Sequence, residues 1–310
     1  MKRQTIGKAL LGLLLGIGGC TSDQDADNGI GLDGFSAEQG VAADQGPARD
    51  AGATDGSAIS DGGLTSASVR VGNFSPDGPA FDLCVAPHGT ASFTGPVLKG
   101  LGITAGLNYP QVTDYLPLPS GNFDVRAVSP NAADCNTPLA GVADATNLPS
   151  VSAGSFATLA VLGTVASGTT TPLQWKAFTD EREVAQGMIK LRLIHASPGS
   201  PSIDLGTGAA TAFVPLFTNV AYSMIASGAN IDANGYLQTN PLVNQTVTAR
   251  ASGTTIDALS VTNVNVPAGV IQTIFAIGQL ANTKHPLKAL VCVDNAPPAS
   301  SHLATCSTMP

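Results

Sequence analysis

Charge is scarce in this chain: Asp, Glu, Lys and Arg make up only 12% of its 310 residues. Aromatic residues are scarcer still, with Trp175 the single tryptophan and Tyr109, Tyr115, Tyr222 and Tyr236 the only tyrosines. A nucleic-acid binder needs a clustered basic patch; beyond residue 62 the chain has ten basic residues against thirteen acidic ones and no basic patch, so no nucleic-acid partner is expected. The shortage of rings leaves a sugar-binding platform poorly supported. There is no Cys-x-x-Cys and no close histidine pair, so zinc spacing is missing and no metal or cofactor is expected. No G-x-S-x-G occurs, which removes the strained nucleophile elbow of many hydrolases. What remains is a globular composition, 43% hydrophobic with 35 Gly and 21 Pro, in a chain long enough for two domains with cores of their own.

The first residues, MKRQTIGKALLGLLLGIGGC, set Lys2, Arg3 and Lys8 ahead of an apolar run from Ala9 to Ile17 that is too short to span a bilayer. This is the layout of an export signal. Its ending, Ile17-Gly18-Gly19-Cys20, resembles the bacterial lipoprotein signal, which implies a signal peptide over 1–19, cleavage before Cys20 and acylation of that cysteine. More than one acyl chain makes membrane attachment stable, at about 0.8 kcal/mol per buried methylene. Thr21 follows Cys20 with no aspartate beside it, which by analogy with enteric bacteria points to the outer membrane.

Residues 20–65 are rich in Gly, Ala, Ser and Asp, with nine acidic residues against Arg49 alone. Such a segment buries too little apolar surface to offset ordering entropy, so a disordered acidic tether is predicted. The G-x-G-x-x-G spelling at Gly29–Gly34 has neither a preceding strand nor a following helix, and Asp23, Asp25 and Asp27 lack the glycine and glutamate of a calcium loop. Four cysteines remain beyond Cys20. In an exported chain three pairings are open, and the favoured one, Cys84 with Cys135 and Cys292 with Cys306, keeps each bridge within one copy of the duplication that follows.

The chain says the same thing twice. VRVGNFSPDGPAFDL at 69–83 lies over LRLIHASPGSPSIDL at 191–205. Further on, Tyr115-Leu116 answers Tyr236-Leu237, FDVRAV at 123–128 answers VTARAS at 247–252, VSAGSFATLAVLG at 151–163 answers VPAGVIQTIFAIG at 266–278, and PLQWKAFTDE at 172–181 answers PLKALVCVDN at 286–295. Two copies of one domain are therefore expected, over 66–182 and 188–296, with 297–310 a tail stapled by the second disulfide. The opening motif resembles the bacterial domain-of-unknown-function family numbered 4397, whose copies begin R-V-x-H-A-S-P-x-x-P-x-V-D-V and often occur in tandem. In the first copy Asn73 and Phe74 stand where His and Ala are usual. The resemblance implies extracytoplasmic all-β domains and no established chemistry.

Short segments rich in β-branched and aromatic residues, bounded by Pro, Gly, Ser and Asn, independently predict an all-β fold of two tandem immunoglobulin-like sandwich domains. Only TDEREVAQGM, between the copies, offers a turn or two of helix. Side-chain alternation puts Val69 and Val71 on one strand face and Arg70 on the other, and likewise separates Leu191 and Leu193 from Arg192. The polar set is therefore expected to face outward. If the first two strands of each copy form a hairpin, Arg70 meets Asp82 and Arg192 meets Asp204, with Arg126 or Arg250 joining as register-fixing ladders. The rival reading is an anion or sugar site. A hydrolase would ask His195, Asp204 and Ser197 to act together. Against it, the first copy has Asn73 in place of the histidine, Ser197 sits in a Ser-Pro turn, and nothing supplies an oxyanion hole. His88, His285 and His302 show no ligand spacing and are expected at the surface. The sequence thus predicts a lipid-anchored, non-enzymatic envelope protein that binds an envelope or extracellular partner and no nucleic acid, with a carbohydrate-binding module or a His195 hydrolase as alternatives.

Overall fold

The structure is a computed structural model that describes residues 66–165, 168–280 and 282–309. The export signal, Cys20 and the acidic tether lie outside the described residues. The first seven strands are β1 (Ser66–Asn73), β2 (Asp82–Pro87), β3 (Leu116–Pro119), β4 (Gly121–Val128), β5 (Ala145–Val151), β6 (Phe156–Leu162) and β7 (Gln174–Asp180), with a single helical turn α1 (Val97–Gly100) between β2 and β3. The remainder are β8 (Ile189–His195), β9 (Ile203–Thr207), β10 (Val214–Val220), β11 (Tyr236–Thr239), β12 (Leu242–Ala251), β13 (Asp257–Val266), β14 (Ile271–Ile277), β15 (Lys288–Val293) and β16 (Cys306–Met309). TDEREVAQGM forms no helix.

Four sheets result, ordered β3-β1-β6-β7, β2-β4-β5, β11-β8-β14-β15-β16 and β10-β9-β12-β13. The fold is all-β. The order β3-β1-β6-β7 matches β11-β8-β14-β15, and in both the chain-distant pair runs parallel, β1 with β6 and β8 with β14. The first two sheets close on a core that includes Val69, Val71, Phe81, Leu83, Phe123, Val125 and Leu159. The other two close on Ile189, Leu191, Leu193, Ile203, Leu205, Phe217 and Ile274.

The expected hairpin between the first two strands of each copy does not form. β1 pairs with β3 and β6, while β2 pairs with β4 across the core, because the Ser-Pro turn after β1 carries the chain to the opposite sheet. The alternation along β1 and β8 is as read, but the far face is not solvent. Sheets β3-β1-β6-β7 and β11-β8-β14-β15-β16 pack on each other through Phe74, Ala160, Leu162, Phe178, Ile194, Phe275, Ile277 and Leu290. The rings of Phe74 and Phe275 stack at 4.4 Å, a contact worth about 0.5–1.5 kcal/mol beyond area burial. These central sheets are buried on both faces, which is why FATLAVL and LKALVCV are nearly continuous apolar runs.

Both disulfides join the favoured pairs, Cys84 with Cys135 and Cys292 with Cys306. The second clips β16 onto β15, so the tail is a fifth strand as well as a stapled end. Further back the tail returns to the first half: Ala304 N–H donates to Val112 O at 2.9 Å and Ala299 N–H to Asp114 Oδ2 at 2.6 Å.

Candidate functional site

The histidine of the HASP segment closes β8 and is fully buried. Its Nε2 lies 2.9 Å from Pro201 O, which can only accept, so Nε2 carries the proton; Nδ1 accepts the Ser197 N–H at 3.3 Å. Burial, only partly opposed by the Pro201 carbonyl, lowers the imidazole pKa below its ordinary value, so the ring is neutral near pH 7. In the first copy, Asn73 Nδ2 donates to Pro79 O at 3.3 Å and to Leu107 O at 3.0 Å, and Asn73 Oδ1 accepts the Ser75 N–H at 3.2 Å. Asparagine and histidine thus make the same pair of main-chain bonds across the same Ser-Pro turn. Ser197 Oγ donates to Gly278 O at 2.7 Å, and Gly278, with φ +82°, admits no side chain: a Cβ there would meet Pro286 O at 2.1 Å. Asp204 does not meet the imidazole; its carboxylate accepts the N–H groups of Asn219 at 2.7 Å and Gly253 at 3.4 Å. His195, Ser197 and Asp204 are not brought together as a triad.

Neither expected ion pair forms. Asp82 is buried and accepts the amides of Leu83, Leu98 and Lys99 at 2.7, 2.8 and 2.7 Å, fastening the start of α1. Burial raises its pKa above the usual carboxylate value. Arg126 forks onto Asp144, with Nη2 to Oδ2 at 2.8 Å, reaches Cys135 O at 3.0 Å, and lies 4.2 Å from the Phe93 ring centre. Arg250 repeats the clamp with Asp257 at 2.6 Å, Ala210 O at 2.6 Å and Phe213 at 4.0 Å. Neither joins Arg70 or Arg192. The hydrogen bond to Asp144 raises the pKa of Arg126, and the Ala210 amide foremost lowers that of Asp257.

Arg70 and Arg192 are not at the surface; they are 1% and 0% exposed, at the plane where the two central sheets meet. Arg192 Nη2 contacts Asp180 Oδ1, and its Nε donates to Thr273 Oγ1 at 3.1 Å. Arg70 Nε donates to Thr158 Oγ1 at 2.7 Å, and its Nη2 lies 2.8 Å from Asp294 Oδ1, an ion pair off the hydrogen-bond direction. Thr158 and Tyr115 donate to Asp180 Oδ2, and Thr273 and Tyr236 to Asp294 Oδ2, each at 2.7 Å. Each half therefore supplies one Arg, one Asp, one Thr and one Tyr, and the charges cancel. Burial disfavours ionised Asp180, but Arg192 and Arg70 outweigh it and hold the carboxyl below its usual range. Burial pushes both tyrosine hydroxyls up, so they stay neutral donors.

Thr158, Thr273, Asp180 and Asp294 were not singled out from the sequence, although each lies in a pair of aligned segments. The available signal was a polar residue repeated inside an apolar strand. Of the remaining histidines, His88 is exposed and its Nδ1 meets Asp124 Oδ1 at 2.8 Å, His285 is half-buried, and His302 is exposed. The Asn147 amide, more than His88, lowers the Asp124 pKa.

These contacts define an all-β protein whose repeated polar residues serve main-chain and inter-sheet bonds. Residues 67–206 match the model of the family described as Domain of unknown function (DUF4397). No curated protein matches the chain. A crystal structure of a candidate cell adhesion protein from Bacteroides fragilis overlaps 76% of this chain and 98% of its own, at 9% identity and a TM-score of 0.18. One of a candidate adhesin from Bacteroides ovatus overlaps 74% of this chain and 92% of its own, at 8% identity and a TM-score of 0.15. At those values the overlap carries no weight for fold or function.

Proposed function

We propose that the chain is a lipid-anchored envelope protein that presents two tandem immunoglobulin-like β-sandwich domains to a binding partner, without catalysis. The observation that carries this reading is the equivalence of Asn73 and His195. Both nitrogens of the one catalytic-looking histidine are engaged by main chain, and the first copy fills the same bonds with a residue that cannot act as a general base. The buried Arg–Asp exchange supports a rigid pair of domains, which offers a partner one fixed surface instead of two independent ones. Among the described residues no helix is long and apolar enough to cross a membrane. In this reading the chain is held at the outer membrane through Cys20.

Crosslinking and pull-down from intact cells tests the binding role, and mass spectrometry of the mature N-terminus tests the anchor. The expected results are a diacylated Cys20 and a reproducible envelope partner. A free, unmodified N-terminus elsewhere would remove the anchor. A measured hydrolytic activity abolished in a folded His195→Asn variant, which keeps the loop bonds but has no general base, would not be expected from a loop clip and would count for chemistry at the HASP segment.

A further inference from the structure

Five of the ten basic residues beyond the tether are matched to carboxylates: Arg70, Arg126, Lys190, Arg192 and Arg250. Lys99 and Arg182 spend donors on the carbonyls of Ala132 and Ala296. Lys176, on β7, has no carboxylate partner among the described residues, and neither do Lys284 and Lys288. The last two come together, with His285 between them in sequence, at a cavity of about 240 Å3 whose other walls include Tyr109, Pro110 and Ile277. No acidic residue lines it. The Tyr109 ring meets His285 edge to face at 5.2 Å, and burial pushes the Tyr109 hydroxyl up to about 12, so it remains a neutral hydrogen-bonding group. Tyr109 and Pro110 come from the first half and the cationic residues from the second, so the cavity exists only where the two halves meet.

The duplication supplies an internal contrast. In the aligned segments Lys288 corresponds to Gln174, and the same offset carried two residues ahead of them sets Lys284 and His285 against Thr170 and Thr171. The fold therefore does not require the two lysine charges. Pockets for drug-sized ligands run to about 300–1,000 Å3, so this one has room for a single ring-sized group. Unpaired cations call for an anion, and the ring and proline walls call for a compact apolar face beside it.

We propose that this inter-half cavity binds a carboxylate-bearing sugar residue, such as a uronic or sialic acid, with Lys284 and Lys288 facing the carboxylate and Tyr109 and Pro110 walling the ring. The inference rests on the binding role proposed for the chain and gives that role a ligand class.

The test is calorimetric titration of the purified full chain with glucuronate, N-acetylneuraminate, glucose and inorganic phosphate, at low and at high salt. The comparison variant is Lys284→Thr, His285→Thr, Lys288→Gln, whose new residues the first half already carries at the corresponding positions. Binding of either acidic sugar but not of glucose, weakened about tenfold both in the variant and at high salt, supports the site. Equal affinity for glucose, unchanged affinity in the variant, or no acidic-sugar binding overturns it, and phosphate binding as tight as glucuronate reduces it to a bare anion site. Should the variant misfold, the glucose comparison and the salt dependence of the unmodified chain still decide. Failure here with an envelope partner still captured from cells would remove this ligand and leave the binding role standing.

Discussion

Arg70 of the first half reaches Asp294 of the second at 2.8 Å, and Arg192 of the second returns the contact to Asp180 of the first. The exchange is reciprocal because each partner occupies the same position in its own copy. The two aligned halves of the chain thus meet through residues that each carries at the matching position.

Removing one member leaves an uncompensated buried charge. Asp180→Ala is expected to cost about 3–5 kcal/mol in urea unfolding, whereas the double change Arg192→Met, Asp180→Leu recovers much of that loss. Because the folded pKa of Asp180 is lowered, its contribution is fully present above the unfolded value of about 4 and is lost as pH falls through the folded one. Asp180→Asn should flatten that acid limb, and an unchanged limb would place the acid-sensitive group elsewhere.

His195 is neutral and buried, so its folded pKa lies below the unfolded value of about 6.5. Stability from this group is complete above about pH 6.5 and declines as pH drops below it. His195→Asn should keep the fold and abolish this component, since Asn73 already makes the same bonds. His195→Ala strands the Ser197 amide and Pro201 carbonyl and should cost about 1–3 kcal/mol. Melting curves of the three proteins across pH 5 to 8 provide the comparison.

Serine replacement of Cys292 and Cys306, 14 residues apart, should lower stability by about 3 kcal/mol and free β16 first, seen as faster amide exchange at Ser307 and Thr308. The same change at Cys84 and Cys135, separated by 51 residues, should cost about 4 kcal/mol without touching the tail. Denaturant midpoints compared with and without a reductant separate the two.

The interior of the second half is underfilled. Trp175 and Phe123 help fill the first core, but the aligned residues are Ala289 and Val247, which line an aliphatic void of about 50 Å3 with Leu205, Leu259, Ile274 and Met309. Ala289→Val adds two methyl groups there and should raise stability by about 1–1.5 kcal/mol, at about 0.8 kcal/mol per buried methylene. A lower melting temperature would mean that the sheets already touch at this point.

Much of the fold was legible because local chemistry is enough to specify it. Alternation assigned Val69, Val71, Leu191 and Leu193 to cores, and the cysteine pairing favoured among the three open ones is the pairing observed. Strand partners were not legible, since alternation says which face a residue takes and not which strand lies beside it; β1 found β6 some ninety residues away instead of its neighbour β2. The opposite face of β1 and β8 was misread for a related reason. An arginine among valines reads as solvent-facing until another sheet, with its own threonine and aspartate, arrives to desolvate and neutralise it. By itself the amino-acid order determined the β class and the inward residues. Only tertiary packing decided what Arg70, Arg192 and His195 do, because charge and hydrogen-bond roles depend on partners that distant segments bring within 3 Å.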